Sequence, residues 1–178
     1  FERRNRWRIT RVLLESARLA DPHNAHWPRR LGQLCRWTRD IYDPRWEEEK
    51  NWYQLALEID PTDREARDGL LQTLFDMGRW QEVLDCLDSD PASDSSDRST
   101  LFRAACTANL GRKDEADSLY ESLKTEEESD LASFCRALIA FDDQRWEDAN
   151  HLLVFKTDRP GLNVLVDLFR QVSKMLNC

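Results

Sequence analysis

The sequence predicts an all-α chain, a solenoid of antiparallel helix hairpins, and three observations carry that reading. A short block recurs as Arg45-Trp46-Glu47-Glu48-Glu49, Arg79-Trp80-Gln81-Glu82-Val83, Arg112-Lys113-Asp114-Glu115-Ala116 and Arg145-Trp146-Glu147-Asp148-Ala149, at spacings of 34, 33 and 33 residues, the range of helical-repeat architectures. Four positions after each block stands a large apolar residue, Tyr53, Leu87, Tyr120 or Leu153, on the helix face that the block's last residue also occupies. Only 5 Gly and 6 Pro interrupt 178 residues, and the commonest residues are helix formers rather than β-branched ones.

In chain order, residues 1–22 hold an amphipathic run from Trp7 to Ala20, with Ala17 followed five residues later by Pro22. This reads as a half-repeat, the second helix of a hairpin whose first helix lies in a preceding segment. Residues 23–160 divide into four hairpins, about 23–61, 62–96, 97–128 and 129–160. Their first helices are the runs Leu31 to Trp37, Leu70 to Phe75, Leu101 to Leu110 and Leu131 to Phe141; their second helices open at the blocks. Punctuation agrees: Asp43-Pro44 looks like a capped helix start, Thr62 with Glu65 has capping-box spacing, and Asp60-Pro61 closes a helix. Gly78 and Gly111 fall where a left-handed C-cap is wanted. Ser93-Asp94-Ser95-Ser96-Asp97 reads as a loop, with a phosphorylation site as the alternative, and Glu126-Glu127-Glu128 as a solvated turn. Residues 161–178 carry the stripe Leu162, Leu165, Val166, Phe169, Val172 and Leu176, begun by Asp158 and Pro160, which predicts a capping helix.

A hydrophobic content of 40% with seven Trp excludes a disordered chain despite 34% charged residues. Trp46, Trp80 and Trp146 recur at equivalent helix starts and are read as inter-helix packing. Five Cys at long, irregular spacings fit neither a disulfide framework nor a metal site, and His23 and His26 with Cys35 lack a fourth ligand. A reducing, cytoplasmic setting without metal or cofactor is the expectation. No run reaches 18 apolar residues, so no membrane insertion is expected. Net charge is −8, but residues 1–46 hold 11 Arg against 5 acids, +6, and the rest 15 bases against 29 acids, −14.

Leu31-Gly32-x-x-Cys35, then Tyr53, Ala56 and Pro61, with Ala116-x-x-x-Tyr120 in the third hairpin, resemble the tetratricopeptide repeat signature over residues 24 to about 161. Cys35 stands where that family has an aromatic residue and Glu49 where it has a small one; the turn of the first hairpin is about five residues longer, and the last two repeats lack the closing Pro. The resemblance implies a right-handed superhelix whose first helices line a concave groove for a partner segment. It places Arg29, Gln33, Arg36 and Trp37 on that groove in the first repeat, Gln72 and Phe75 in the second, Asn109 in the third, and Phe134, Leu138 and Phe141 in the fourth. A groove grading from basic to apolar implies a protein segment acidic at one end. The paired Lys and Asn that clamp a terminal carboxylate in some members have no equivalents.

Hydrolase, kinase, dinucleotide and P-loop motifs are absent from the sequence, so no catalytic residues are assigned and no enzyme is expected. The expected function is a protein-interaction scaffold or adaptor. A docking domain of a larger enzyme requires the same surface and stays open. RNA binding through Arg3, Arg4, Arg6, Arg8 and Arg11 beside Trp7 is the third reading, opposed by the acidic remainder of the chain.

Overall fold

The computed structural model describes residues 2–38, 45–89, 97–123 and 126–153, with 166–168, 171–172 and 175 beyond them. All regular structure among these residues is α-helical: α1 (Glu2–Ala20), α2 (His26–Trp37), α3 (Trp46–Ile59), α4 (Arg64–Asp76), α5 (Trp80–Asp88), α6 (Asp97–Asn109), α7 (Lys113–Glu121), α8 (Glu126–Asp142) and α9 (Trp146–Leu152). The chain folds as two compact units, residues 1–79 and 80–178. In the first, α1 packs on α2, α2 on α3 and α3 on α4; in the second, α5 packs on α6, α6 on α7, α7 on α8 and α8 on α9. Helices two apart also touch, α2 with α4 and α6 with α8.

The repeated block supplies a core position in each unit, as its spacing predicts. Its fifth residue is fully buried in every copy, Glu49, Val83, Ala116 and Ala149, each 0% exposed. Tyr53, Leu87, Tyr120 and Leu153, one helical turn on, are buried beside them. The block's Arg and the acid three residues later are ion pairs across the first helical turn: Arg45–Glu48 at 3.7 Å, Arg112–Glu115 at 3.5 Å and Arg145–Asp148 at 3.2 Å. Trp46, Trp80 and Trp146, expected in the core, are half-buried. Trp146 packs edge-on against Phe141, centroids 4.8 Å apart.

Tyr53 explains two glycines of the first unit. A Cβ on Gly32 of α2 would lie 2.9 Å from the Tyr53 ring, and one on Gly69 of α4 2.4 Å from it. Three helices therefore close on one aromatic ring only because two of them have no side chain there. Beside it Glu49, where the family pattern has a small residue, accepts from Arg36 Nε at 3.1 Å and from Thr73 Oγ1 at 2.8 Å. Thr73 is itself fully buried, and Arg36 also reaches the Gly69 carbonyl at 3.5 Å. A buried carboxylate is tolerable here because α2 and α4 each bring it a donor. In the second unit the core is smaller-grained: Ala104, Ala116, Tyr120, Ala132 and Ile139 form one cluster, Phe134, Ala137, Leu153 and Val166 another.

The turns repeat as closely as the helices. Gly78 and Gly111 have φ of 72° and 81°, as their positions predict, and Gln144, 33 residues after Gly111, has φ 60°. All three close the same motif: the residue after each donates to a carbonyl five back, Arg79 to Leu74 and Arg112 to Thr107, both at 3.0 Å, and Arg145 to Ala140 at 2.8 Å. Two sequence expectations need correction. The cap of α4 is Asp63, which accepts from the Ala66 N–H at 3.0 Å; Thr62 does not cap, because its hydroxyl and N–H both donate to Asp60. Glu126-Glu127-Glu128 is the first turn of α8 rather than a turn between helices, and acids suit the positive end of a helix dipole. The proposed cap at Asp43-Pro44, residues Ser93 to Ser96 of the expected loop and most of the terminal stripe lie outside the described residues; Asp97, expected to end that loop, is the first residue of α6, and Val166 of the stripe is buried against Phe134.

Candidate functional site

The residues expected to line a partner surface divide between the units: Arg29, Gln33, Arg36, Trp37, Gln72 and Phe75 in the first, Asn109, Phe134, Leu138 and Phe141 in the second. On α2, the sequence His26, Arg30, Gln33, Trp37 runs along one helix face at spacings of four, three and four. Trp37 is 60% exposed, an unusual state for the largest apolar side chain. The Arg30 guanidinium lies over its ring, 5.8 Å from the centroid, and donates to Gln33 Oε1 at 2.9 Å. Gln33 in turn donates to Glu65 of α4 at 3.4 Å. The hydrogen bond to Gln33 and the ring beneath hold a long cationic side chain in one place, which lowers the entropy lost when a ligand engages it.

Arg29 and Arg36 are engaged inside the unit. Arg29 pairs with Asp63 at 3.4 Å and Glu65 at 2.6 Å, and Arg36 with the buried Glu49 at 3.1 Å. The charge they bring to α2 is thus already balanced, and the exposed cation of this face is Arg30. An open polar cleft of 520 Å³ adjoins Arg29, lined by Asp21, His23, His26, Asp60 and Asp63 among others. On α4, Gln72 donates to Asp76 at 2.8 Å and Phe75 is half-buried.

In the second unit Asn109 is exposed and donates to the Ala105 carbonyl of its own helix at 2.8 Å. Phe134 is only 8% exposed, covered by Ala137, Leu153 and Val166, so it supports a surface rather than lining one. Leu138 is packed against the same cluster, and Phe141 is half-buried on Trp146. Arg136 of α8 braces this unit through Asp117 at 3.1 Å and Glu121 at 3.0 Å of α7.

The four described cysteines are free thiols. Burial pushes Cys35 up to about 12, with Glu48 adding to it, and burial alone pushes Cys106 up to about 12. Cys135 is raised by burial as well. Thiols held protonated in this way are poor nucleophiles and metal ligands. What sequence reasoning missed is Arg30: it lies one residue from the chosen Arg29, and only the pairing of Arg29 with α4 and of Arg36 with α3 distinguishes the three. No family model matches the chain, and neither does any curated protein.

Proposed function

We propose that this chain is a protein-interaction module, built within each unit from tetratricopeptide-like antiparallel hairpins stacked in a right-handed sense, and that it takes a partner segment on the outward face of α2. The observation that carries this reading is the exposed Trp37 under Arg30. Trp and Arg are the residue types most enriched among energetic anchors of interfaces, and this pair is already ordered by Gln33. The segment it suits sets an apolar or aromatic side chain on Trp37 and a carboxylate at Arg30. The recurrence of one turn motif at 111 and 144, between helices that pack on each other, supports the hairpin repeat in the second unit. Internal pairing of Arg29 and Arg36 favours a short mixed recognition patch over an extended basic one. A reducing, cytoplasmic setting belongs to the same proposal, supported by buried free thiols.

A photo-crosslinking side chain at Gln33 tests it, with one at the exposed Gln54 of α3 as the control. Crosslinking to a protein partner is expected from Gln33 only, insensitive to nuclease, and reduced at least about tenfold by Trp37→Ala or Arg30→Glu, the loss that typifies an interface anchor. Equal crosslinking from both positions, or loss of the adduct on nuclease treatment, overturns the assignment.

A further inference from the structure

Helix α1 has two faces that carry contact residues, and only one is covered. Arg11, Leu14 and Arg18 are half-buried on one side. There Arg11 ion-pairs with Glu48 of α3, and the Arg18 guanidinium lies 5.6 Å from the centroid of Trp52. On the other side Ile9, Val12, Leu13 and Leu19 fall within a single stripe and are 61, 60, 64 and 71% exposed. Single exposed aliphatics are ordinary, but four in one row on an otherwise strongly polar helix form a patch. Arg6 and Arg8 flank the row, both exposed and in no ion pair among the described residues.

We infer that this face of α1 docks an amphipathic helix of a separate protein, its apolar row covering Ile9, Val12, Leu13 and Leu19 and its acidic flank meeting Arg6 and Arg8. Two observations name that occupant. The covered helix faces of this unit are met by other helices, α1 by α2, α2 by α3 and α3 by α4, so a helix on α1 continues the packing already in use. Charge selects its flank: Arg6 and Arg8 are the exposed cations beside the row, whereas Arg11 and Arg18 are engaged on the covered side, and a carboxylate-bearing partner is attracted where a second copy presenting the same two Arg is repelled. This surface is on a different helix from Trp37, and the inference stands without the reading of α2.

The probes are a synthetic helical peptide with Leu at i, i+3, i+4 and i+7 and Glu on both flanks, and the same peptide with Lys in place of Glu. With the full chain at low salt, the Glu peptide is expected to bind, to protect α1 amides from exchange, and to weaken as salt rises. The Lys peptide is expected to bind at least about tenfold more weakly. Leu13→Asp should lower affinity for the Glu peptide by at least about tenfold, and Arg6→Glu with Arg8→Glu should invert the preference; both act at exposed positions, and an unchanged helical melt confirms the fold. Equal affinity for the two peptides, or no binding by either, overturns the inference. So does binding indifferent to Leu13→Asp, a concentration-dependent dimer that Leu13→Asp dissolves, or uptake by phosphatidylserine vesicles in place of the peptide.

Discussion

Gln144 occupies a position that the other two copies of the turn give to glycine. A side chain at φ 60° crowds its own backbone, whereas Gly78 and Gly111 adopt the same region freely. Replacing Gln144 with Gly is therefore expected to stabilise the chain by about 0.5–1 kcal/mol, strain relief exceeding the entropy that glycine adds to the unfolded state. The reverse change, Gly111→Ala, meets nothing within 4 Å of the new Cβ. Its cost, about 1 kcal/mol, is conformational only. Urea unfolding of the two variants checks both signs; a destabilised Gln144→Gly would mean that the Gln side chain supplies contacts worth more than the strain. The glycines at 78 and 111 were legible because a single residue type reports the conformation. Gln144 was not, since its residue type carries no such signal and only the 33-residue register points to it.

At the scale of elements, α2, α3 and α4 are joined through a charge. Arg36 on α2, Glu49 on α3 and Thr73 on α4 meet in the first unit, at the block position where Val83, Ala116 and Ala149 are apolar. Arg36→Leu removes this charged donor from a fully buried carboxylate and is expected to cost about 3–5 kcal/mol. Glu49→Val should cost less, about 1–3 kcal/mol, because the Arg36 side chain is 30% exposed and can turn to water. The double variant is expected within about 1.5 kcal/mol of the parent, since a matched apolar pair replaces a matched polar one. A coupling energy near zero in denaturant melts would show that Arg36 and Glu49 are neighbours without being partners. The sequence marks Glu49 as a departure from the family pattern but leaves its partner open. Arg36 reaches it only after a connection whose length the family pattern does not set.

For the whole molecule, burial keeps thiols protonated in both compact units; Cys135 of the second is one, and Cys35 of the first and Cys106 of the second are two more. Free in the unfolded chain, they ionise at 9.0; in the folded chain both hold their protons to about 12. Between those values the unfolded state binds fewer protons than the folded one. Stability is thus fully present below pH 9 and falls as pH rises toward 12. Tyr120, raised by burial, acts in the same direction. Denaturant midpoints compared at about pH 8 and about pH 11 should show this loss, and a Cys35→Ala/Cys106→Ala variant should show a shallower one. An identical slope in parent and variant would assign the alkaline loss to other groups. No helix among the described residues is long and apolar enough to cross a membrane.

The sequence by itself determined the helical class, the positions of the four blocks and the burial of their fifth and ninth residues. These rest on local periodicity, which a 3.6-residue turn converts directly into a face. It also marked two of the three left-handed turns, because glycine is the residue that such a turn prefers. Tertiary structure alone decided which charges are available. Arg29, Arg30 and Arg36 are indistinguishable in sequence, yet two are balanced by acids 34 and 13 positions away and one stacks on Trp37. It likewise buried Phe134 under Val166 and left Ile9, Val12, Leu13 and Leu19 uncovered. The reason is the same in each case: amphipathic pattern says that a face is able to pack, whereas exposure depends on whether another element, distant in sequence, arrives to cover it.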